Sequence, residues 1–512
     1  MTAHAPPSGP YHPRRPWKWA VLVAVLAVAG ASAGAPRPYD LADSTSGDTE
    51  LAALVREQLG DATGHHGLSV ALVEPDGDGG FRVRSAGLGH TGSDGVTVEE
   101  HTPFGSASVA KVLPGLLLAD MVDRGELTLD TELGDLLGSL DAADPALAGV
   151  TVGELATHTA GLPREGTTLP QTLWQFAAKR HPEPTGSVEA FLRTAAEGVT
   201  VDPALRGANH YSNTGIDLLG HALAAHAGTV YAELVRERVL DPLGMEDSAI
   251  WTSADGPPFQ VHDADRGRPL GLDLTEAGGP SGGLVTTAGD LGLLLAAVMD
   301  GSAPGANAVR PVAPGDVDRR EQGLGWYVET LGETAITAHG GNATTNGHTA
   351  WMGYTGDRGA VVLSNTHRFS EDIGIRLLGV DQPSPDNAAG EKVYATATVL
   401  LTLLPGLLAL GFASASRPTR WWRRPADRLG LVSHGLGGTA VLTYAYLAGF
   451  WHLVSPVLWV AGVLLLAAAL GVGALRWRRL PAARGTRPWL RWLLIAPVIG
   501  MGLALLVVLA AI

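Results

Sequence analysis

The sequence predicts an α+β fold, an α/β sandwich in which an antiparallel sheet is flanked by helices beside a helical subdomain, followed by a C-terminal transmembrane helical region. Three observations predict it. Strand-like runs sit at both ends of residues 37–392 with Gly- and Pro-punctuated helices between them, which reads as one sheet completed late by the chain. Charge divides the chain: residues 37–392 carry 22 basic and 50 acidic residues, residues 1–36 carry Arg14, Arg15, Lys18 and no acid, and residues 393–512 carry eleven arginines against Asp427 alone. Four apolar stretches, near 393–415, 429–450, 456–475 and 492–512, are each long enough to cross a bilayer.

In chain order, residues 19–33 form an apolar run after a basic stretch, closed by the small residues Ala31-Ser32-Ala33. Residues 1–36 are therefore a signal peptide or an N-terminal anchor, and either places residue 40 outside the cytoplasm. Within residues 37–379 a helix is expected near 48–60, strands near 68–74 and 81–87, and a mostly helical stretch over 105–300. Strands return near 324–330, 334–339, 347–353 and 358–365, before a helix near 369–378. Residues 380–392, opening with VDQPSPDNAAGE, read as a linker.

Residues 393–512 form the membrane region with four transmembrane helices. Five arginines from Arg417 to Arg428 separate the first two stretches, six from Arg476 to Arg491 separate the last two, and the connection near Trp451 to Pro456 has none. By the positive-inside bias both Arg-rich loops are cytoplasmic, so residue 392 lies outside, in agreement with the N-terminal segment. The spans hold no acidic residue and no lysine, which points to anchoring in a lipid bilayer rather than to an ion path. The acidic body argues against nucleic acid as a partner. With no cysteine, disulfides, a thiol nucleophile and a thiolate metal site are excluded. Nothing in the sequence fixes an oligomeric state.

The chemistry gathers at three motifs. In Phe104-Gly-Ser-Ala-Ser-Val-Ala-Lys111, Ser108 and Lys111 are three apart and share a helix face. Serine needs a base to become a nucleophile, and a lysine serves as one where burial and nearby positive charge favour its neutral form. Arginine could not, because it stays protonated. The chain writes nearly all its positive charge as arginine and has only four lysines, of which Lys111 alone follows a serine by three residues. The second motif is Tyr211-Ser212-Asn213, a phenol that can relay a proton and an amide that can bind a carbonyl. The third is His339-Gly340-Gly341, at the end of an expected strand, where glycines let a ligand approach the backbone.

In this order the motifs resemble the active site of the penicillin-binding protein and serine β-lactamase superfamily. The closest branch is the class C β-lactamase-like group, which also holds D-aminopeptidases, D-Ala-D-Ala carboxypeptidases and esterases. Further segments are similar to that group: Thr157-His158-Thr159-Ala160-Gly161-Leu162-Pro163, Leu243-Gly244-Met245, Gly282-Gly283-Leu284-Val285-Thr286-Thr287 and Gly323-Leu324-Gly325-Trp326. The resemblance covers roughly residues 50–378. It implies Ser108 as nucleophile, Lys111 and Tyr211 sharing the general-base work, and Asn213, His339, Gly341 and Asn342 on the substrate side. The backbone N–H groups of Ser108 and Asn342 would form the oxyanion hole, and no cofactor or metal is implied. His158 reads as a loop brace.

One departure bears on substrate. Many members carry lysine where His339 stands, and its charge helps hold a substrate carboxylate. Histidine is largely neutral at pH 7, so the expected substrate is a D-amino-acid peptide, amide or ester. A β-lactamase or a D-Ala-D-Ala carboxypeptidase is the alternative enzyme. A non-catalytic sensor of peptidoglycan fragments or β-lactams is the alternative of another class, although a pure binder has no need of the base.

Overall fold

The computed structural model describes residues 16–92, 94–138, 144–164, 173, 177, 186–252, 258–262, 264–265, 269–270, 274–343, 347–415 and 426–483. The chain divides into two compact units: residues 37–394, and residues 1–36 together with 395–512.

The first unit is built on a nine-stranded antiparallel sheet. Its strands are β1 (Thr45–Gly47), β2 (Gly67–Pro75), β3 (Phe81–Gly89), β4 (Ala313–Pro314), β5 (Arg320–Gln322), β6 (Tyr327–Leu331), β7 (Thr334–Ala343), β8 (His348–Thr355) and β9 (Arg358–Ser364), in the order β1-β3-β2-β9-β8-β7-β6-β5-β4. The early strand β2 pairs with the last strand β9, Val70 opposite Val362, so the sheet closes only when the chain's end returns. Both faces are covered, which explains the unbroken apolar run Val70 to Val73. Ala71, Val73, Val361 and Leu363 face one core; Leu68, Val70, Leu72, Ala360 and Val362 face the other. This is the two-residue period of a strand buried on both sides.

Helices supply the covers. On one face α1 (Thr49–Leu59) contributes Leu51 and Val55, and α5 (Glu371–Leu377) contributes Ile373, Ile375 and Leu377. The other face meets α4 (Ala288–Asp300) and, beyond it, the helical subdomain with α2 (Val112–Asp123) and α3 (Asn213–His226). Every residue of α2 from Val112 to Met121 is buried, as expected of a helix apolar all round. That makes α2 the central post of the subdomain, and the residues just before it are held from all sides.

The expected elements of 37–392 correspond to observed ones with two differences. The strand expected at 324–330 begins only at Tyr327, because Gly323-Leu324-Gly325 forms a turn packed on α2: a Cβ on Gly115 would lie 1.9 Å from the Leu324 carbonyl. The expected linker is not one throughout. Helix α6 runs Pro385–Ser414 and starts inside it, with Pro385 at a helix start where its missing N–H costs nothing, and Asp386 bonded to Arg319 and Arg320.

In the second unit the helix Pro16–Ala33 lies beside α8 (Val457–Arg476), and α7 (Arg428–Ala448) packs on the same helix. Among the described residues two helices, Pro385–Ser414 and Val457–Arg479, are long and apolar enough to cross a membrane. The segment at 428–448 is helical as well, but its Gly, Ser, His and Thr residues dilute its apolar character. The expected fourth span, 492–512, lies outside the described residues, as do residues 416–425 of the Arg-rich loop.

Candidate active site

The three motifs, far apart in sequence, meet in the first unit. Phe104–Gly105 is a short strand paired with Leu284–Thr286, and the Ser106 N–H donates to the Leu284 carbonyl at 3.0 Å. This pairing fixes the chain just ahead of Ser108. Ala107 then takes φ = 45°, a left-handed conformation that alanine adopts only at a cost and that tends to cluster at functional sites. Residues Ala107–Lys111 form a 3₁₀ turn leading into α2. In such a turn residues i and i+3 eclipse, so Ser108 and Lys111 stand one above the other more directly than on an α-helix.

Lys111 is wholly buried. Its Nζ donates to Ser108 Oγ at 2.9 Å and to the Ser281 carbonyl. Ser281 is itself held where its N–H donates to Asp217 at 2.9 Å. Tyr211 Oη reaches the same Ser108 Oγ at 2.8 Å. Tyr211 sits just before α3, and Ser212 caps that helix, accepting from Gly215 N–H at 2.9 Å while donating to the Pro163 carbonyl at 2.7 Å. The Gly323–Trp326 turn backs Lys111 from behind: Gly325 has φ = 69°, and a Cβ there would lie 2.3 Å from the Lys111 carbonyl.

Strand β7 closes the other side. It pairs with β8, Gly341 opposite Ala350 and Asn342 opposite Thr349. Gly341 is so close to the turn that carries Ser108 that a Cβ would fall 2.7 Å from the Ser106 carbonyl oxygen and 2.9 Å from Ser108 N. The glycine is needed for space, not for its φ. Ser108, His158, Tyr211, His339, Gly341 and Asn342 all line one cleft of about 380 Å³, a size suited to a small molecule or a peptide end. Asn213 does not line it; as the first residue of α3 it donates its N–H to the Arg164 carbonyl at 3.1 Å.

Two histidines set the charge of this wall. Burial, and then the charge of Lys111, push His339 down to about 3, and its Nδ1 donates to the Gly340 carbonyl at 2.9 Å. His158 is held well below its ordinary value, first by burial and then by Lys111. Both are neutral at pH 7. His158 braces the site as its position suggested: its Nδ1 accepts the Ser212 N–H at 3.3 Å and its ring lies against Tyr211 at 4.5 Å.

Sequence reasoning missed the far wall of the cleft, formed by Asp316, Arg320, Glu371 and Asp386. Scattered single charges in loops and at strand and helix ends carry no motif, and they read as solvated surface. The arrangement as a whole presents a hydroxyl with two candidate bases at hydrogen-bond distance. Either can take its proton as Oγ adds to a carbonyl.

Comparison with known proteins bears on family and fold. The family profile described as Beta-lactamase matches residues 51–380. Penicillin-binding protein 4 of Amycolatopsis lactamdurans is 31% identical over 243 residues, covering 45% of this chain and 58% of that protein. D-alanyl-D-alanine-carboxypeptidase/endopeptidase AmpH of Escherichia coli (strain K12) is 30% identical over 237 residues, 45% of this chain and 56% of that protein. The chain thus spans a little over half the length of these curated relatives. Among solved structures, a class C beta-lactamase superimposes with a TM-score of 0.51 at 19% identity, covering 65% of this chain and 95% of that one; that likeness concerns the fold.

Proposed function

Because this chain belongs to the beta-lactamase family, we propose that it is a serine hydrolase of the penicillin-binding protein and serine β-lactamase type, anchored in a membrane with its catalytic domain extracytoplasmic. It acts through an acyl-enzyme on a D-amino-acid peptide, amide or ester. The observation that carries this reading is the pair of hydrogen bonds from Lys111 Nζ and Tyr211 Oη to Ser108 Oγ, at 2.9 and 2.8 Å.

Ser108 Oγ adds to the substrate carbonyl while its proton passes to Lys111 and Tyr211. The oxyanion is received by the Ser108 and Asn342 N–H groups. The bond to the leaving nitrogen or oxygen then breaks, and the proton is returned to that atom. Water next adds to the acyl carbonyl, giving up a proton to the same pair, and Oγ departs as the hydroxyl. His339 orients the network as a neutral group on the substrate side, and Asn213, which lies off the cleft, has no substrate contact in this reading. The two long apolar helices support anchoring, and the acidic first unit suits an aqueous compartment.

A D-Ala-D-Ala carboxypeptidase is the second reading, favoured by the similarity to the Escherichia coli relative of that name. A substrate ending in a free carboxylate would, however, meet neutral His339 instead of a lysine. Turnover by the purified protein of D-aminoacyl amides, D-Ala-D-Ala peptides, nitrocefin and short p-nitrophenyl esters tests the proposal. The first and last groups should be hydrolysed, with loss in Ser108→Ala. Preference for the D-Ala-D-Ala peptides would select the second reading, and no turnover of any group would reject both.

A further inference from the structure

To take the Ser108 proton, Lys111 must present a neutral amine, with two N–H bonds and one lone pair, and must aim that lone pair at the hydroxyl. Rotation about the Cε–Nζ bond offers three staggered orientations. A carbonyl oxygen accepts and cannot donate, so the Ser281 carbonyl, which is hydrogen-bonded to Nζ, always draws an N–H and never the lone pair. The orientation that would waste the lone pair on Ser281 is thereby removed, and Ser108 Oγ, 2.9 Å from Nζ, is open to it. Where the Ser281 carbonyl stands therefore decides how Lys111 faces Ser108.

Ser281 belongs to the single helical turn Gly279–Gly282, and α3 holds that turn at two points. The Ser281 N–H donates to Asp217 Oδ1 at 2.9 Å. Gly220, three residues further and so on the same face of α3, sits so close to the turn that a Cβ there would lie 2.5 Å from both Pro280 Cβ and Pro280 Cγ. Asp217 is buried and does not line the cleft, so any effect it has on the reaction passes through Ser281. A buried carboxylate is costly unless it is hydrogen-bonded, and a bond from a backbone N–H to an ionised acceptor is stronger than a neutral one. The same helix begins two residues after Tyr211, whose Oη reaches Ser108 Oγ at 2.8 Å. One rigid element thus places Tyr211 directly and Lys111 indirectly. Beyond the turn, the Leu284 carbonyl holds the Ser106 N–H at 3.0 Å, so a shift of residues 279–284 reaches Ser108 from both sides.

We propose that Asp217 is a positioning residue for the hydrolysis: through the Ser281 N–H it fixes the carbonyl that orients the Lys111 amine, and Gly220 keeps the turn seated on α3. The proposal rests on the serine-hydrolase reading and adds to it a residue outside the cleft that no sequence motif singles out. Lys111 serves both acylation of Ser108 and release of the acyl group, so both steps should slow together, lowering kcat while KM stays near its wild-type value. A 1 Å misplacement of reacting groups costs on the order of a hundredfold, and loss of one of two anchors should cost about tenfold or more.

The test measures kcat and KM for p-nitrophenyl acetate per mole of folded, full-length protein. Asp217→Ala should lose about tenfold or more in kcat with KM held. Asp217→Asn, whose side-chain oxygen can still accept from the Ser281 N–H, should recover most of that loss. Full kcat in Asp217→Ala, or an equal loss in both variants, overturns the proposal. A double-substitution cycle separates positioning from a general weakening of the fold. In a Lys111→Ala background, adding Asp217→Ala should cost little more, because the group it positions is gone; the same loss in both backgrounds overturns the proposal. If Asp217→Ala does not fold, Gly220→Ala decides, since its methyl group pushes Pro280 and the turn away from α3. Its kcat should fall with KM held, and wild-type kcat overturns the proposal. A wild-type protein that neither reacts with a fluorophosphonate nor hydrolyses the ester defeats the serine-hydrolase reading itself. One that does both, with Asp217→Ala unimpaired, defeats only the role of Asp217.

Discussion

Replacing Gly341 with alanine would place a methyl carbon 2.7 Å from the Ser106 carbonyl oxygen, 2.9 Å from Ser108 N and 3.0 Å from Ala107 Cβ. All three atoms belong to the turn that carries Ser108. Non-bonded carbon contacts settle at about 3.5–4.0 Å, so strand and turn must part by roughly 0.5–1 Å. Neither yields easily: β7 is paired with β8 at Gly341, and the turn is tied to Leu284. Crowding of this kind costs about 1–3 kcal/mol of stability. The larger effect falls on catalysis, since a 1 Å misplacement of reacting groups costs on the order of a hundredfold. Gly341→Ala should lower kcat for a p-nitrophenyl ester about ten- to a hundredfold while melting only a few degrees below the wild type. Stopped-flow turnover and thermal melts measure the two. Wild-type kcat in a variant of normal stability would refute the claim that β7 is seated against the nucleophile's turn.

Lys111→Arg should be nearly as damaging as Ser108→Ala, a loss on the order of 10²–10⁴, because arginine keeps the charge and cannot act as a base; substantial activity in the Arg variant would remove Lys111 from the mechanism. Stability should fall on acidification. His66, His158, His221, His262 and His339 are all held neutral mainly by burial, with His262 at about 4 and His339 at about 3. The unfolded chain protonates each near 6.5, so the folded state loses stability as pH falls from there toward 3, by up to about 1.4 kcal/mol per unit per histidine. Glu371 and Asp290, whose values are raised mainly by burial, act in the opposite direction but are fewer. Melting temperatures from pH 7 to 4 check the sign. A reporter fused after Lys392 should behave as exported and one in the loop near Arg423 as cytoplasmic; the reverse pattern would overturn the topology.

The nucleus of the candidate site was legible because it is local. Ser108 and Lys111 are one turn apart, and the scarcity of lysine marks the pair. The late closure of the sheet was legible too, since alternating or continuous apolar runs such as Val70 to Val73 and Ala360 to Leu363 announce strands wherever they pair. What escaped depends on contacts distant in sequence. The 3₁₀ turn and the strained Ala107 are imposed by pairing between Phe104–Gly105 and Leu284–Thr286, which no window of sequence displays. Gly323-Leu324-Gly325 reads as a strand start, yet packing on α2 turns it into a corner. Glu371 joins the cleft more than 250 residues after Ser108, carried there only by the return of β7, β8 and β9. Asp386 escaped likewise, because a Pro- and Asp-rich segment resembles a linker until its carboxylate finds Arg319 and Arg320.

The proposed mechanism requires that substrate carbon become bonded to Ser108 Oγ during turnover. Rapid acid quenching while the protein hydrolyses a p-nitrophenyl ester, followed by digestion and peptide mass analysis, reads that bond directly. The acyl mass increment should appear on the peptide containing Ser108, transient in the wild type and absent in Ser108→Ala. Steady hydrolysis with no adduct at any time, or with the adduct on another residue, would contradict it.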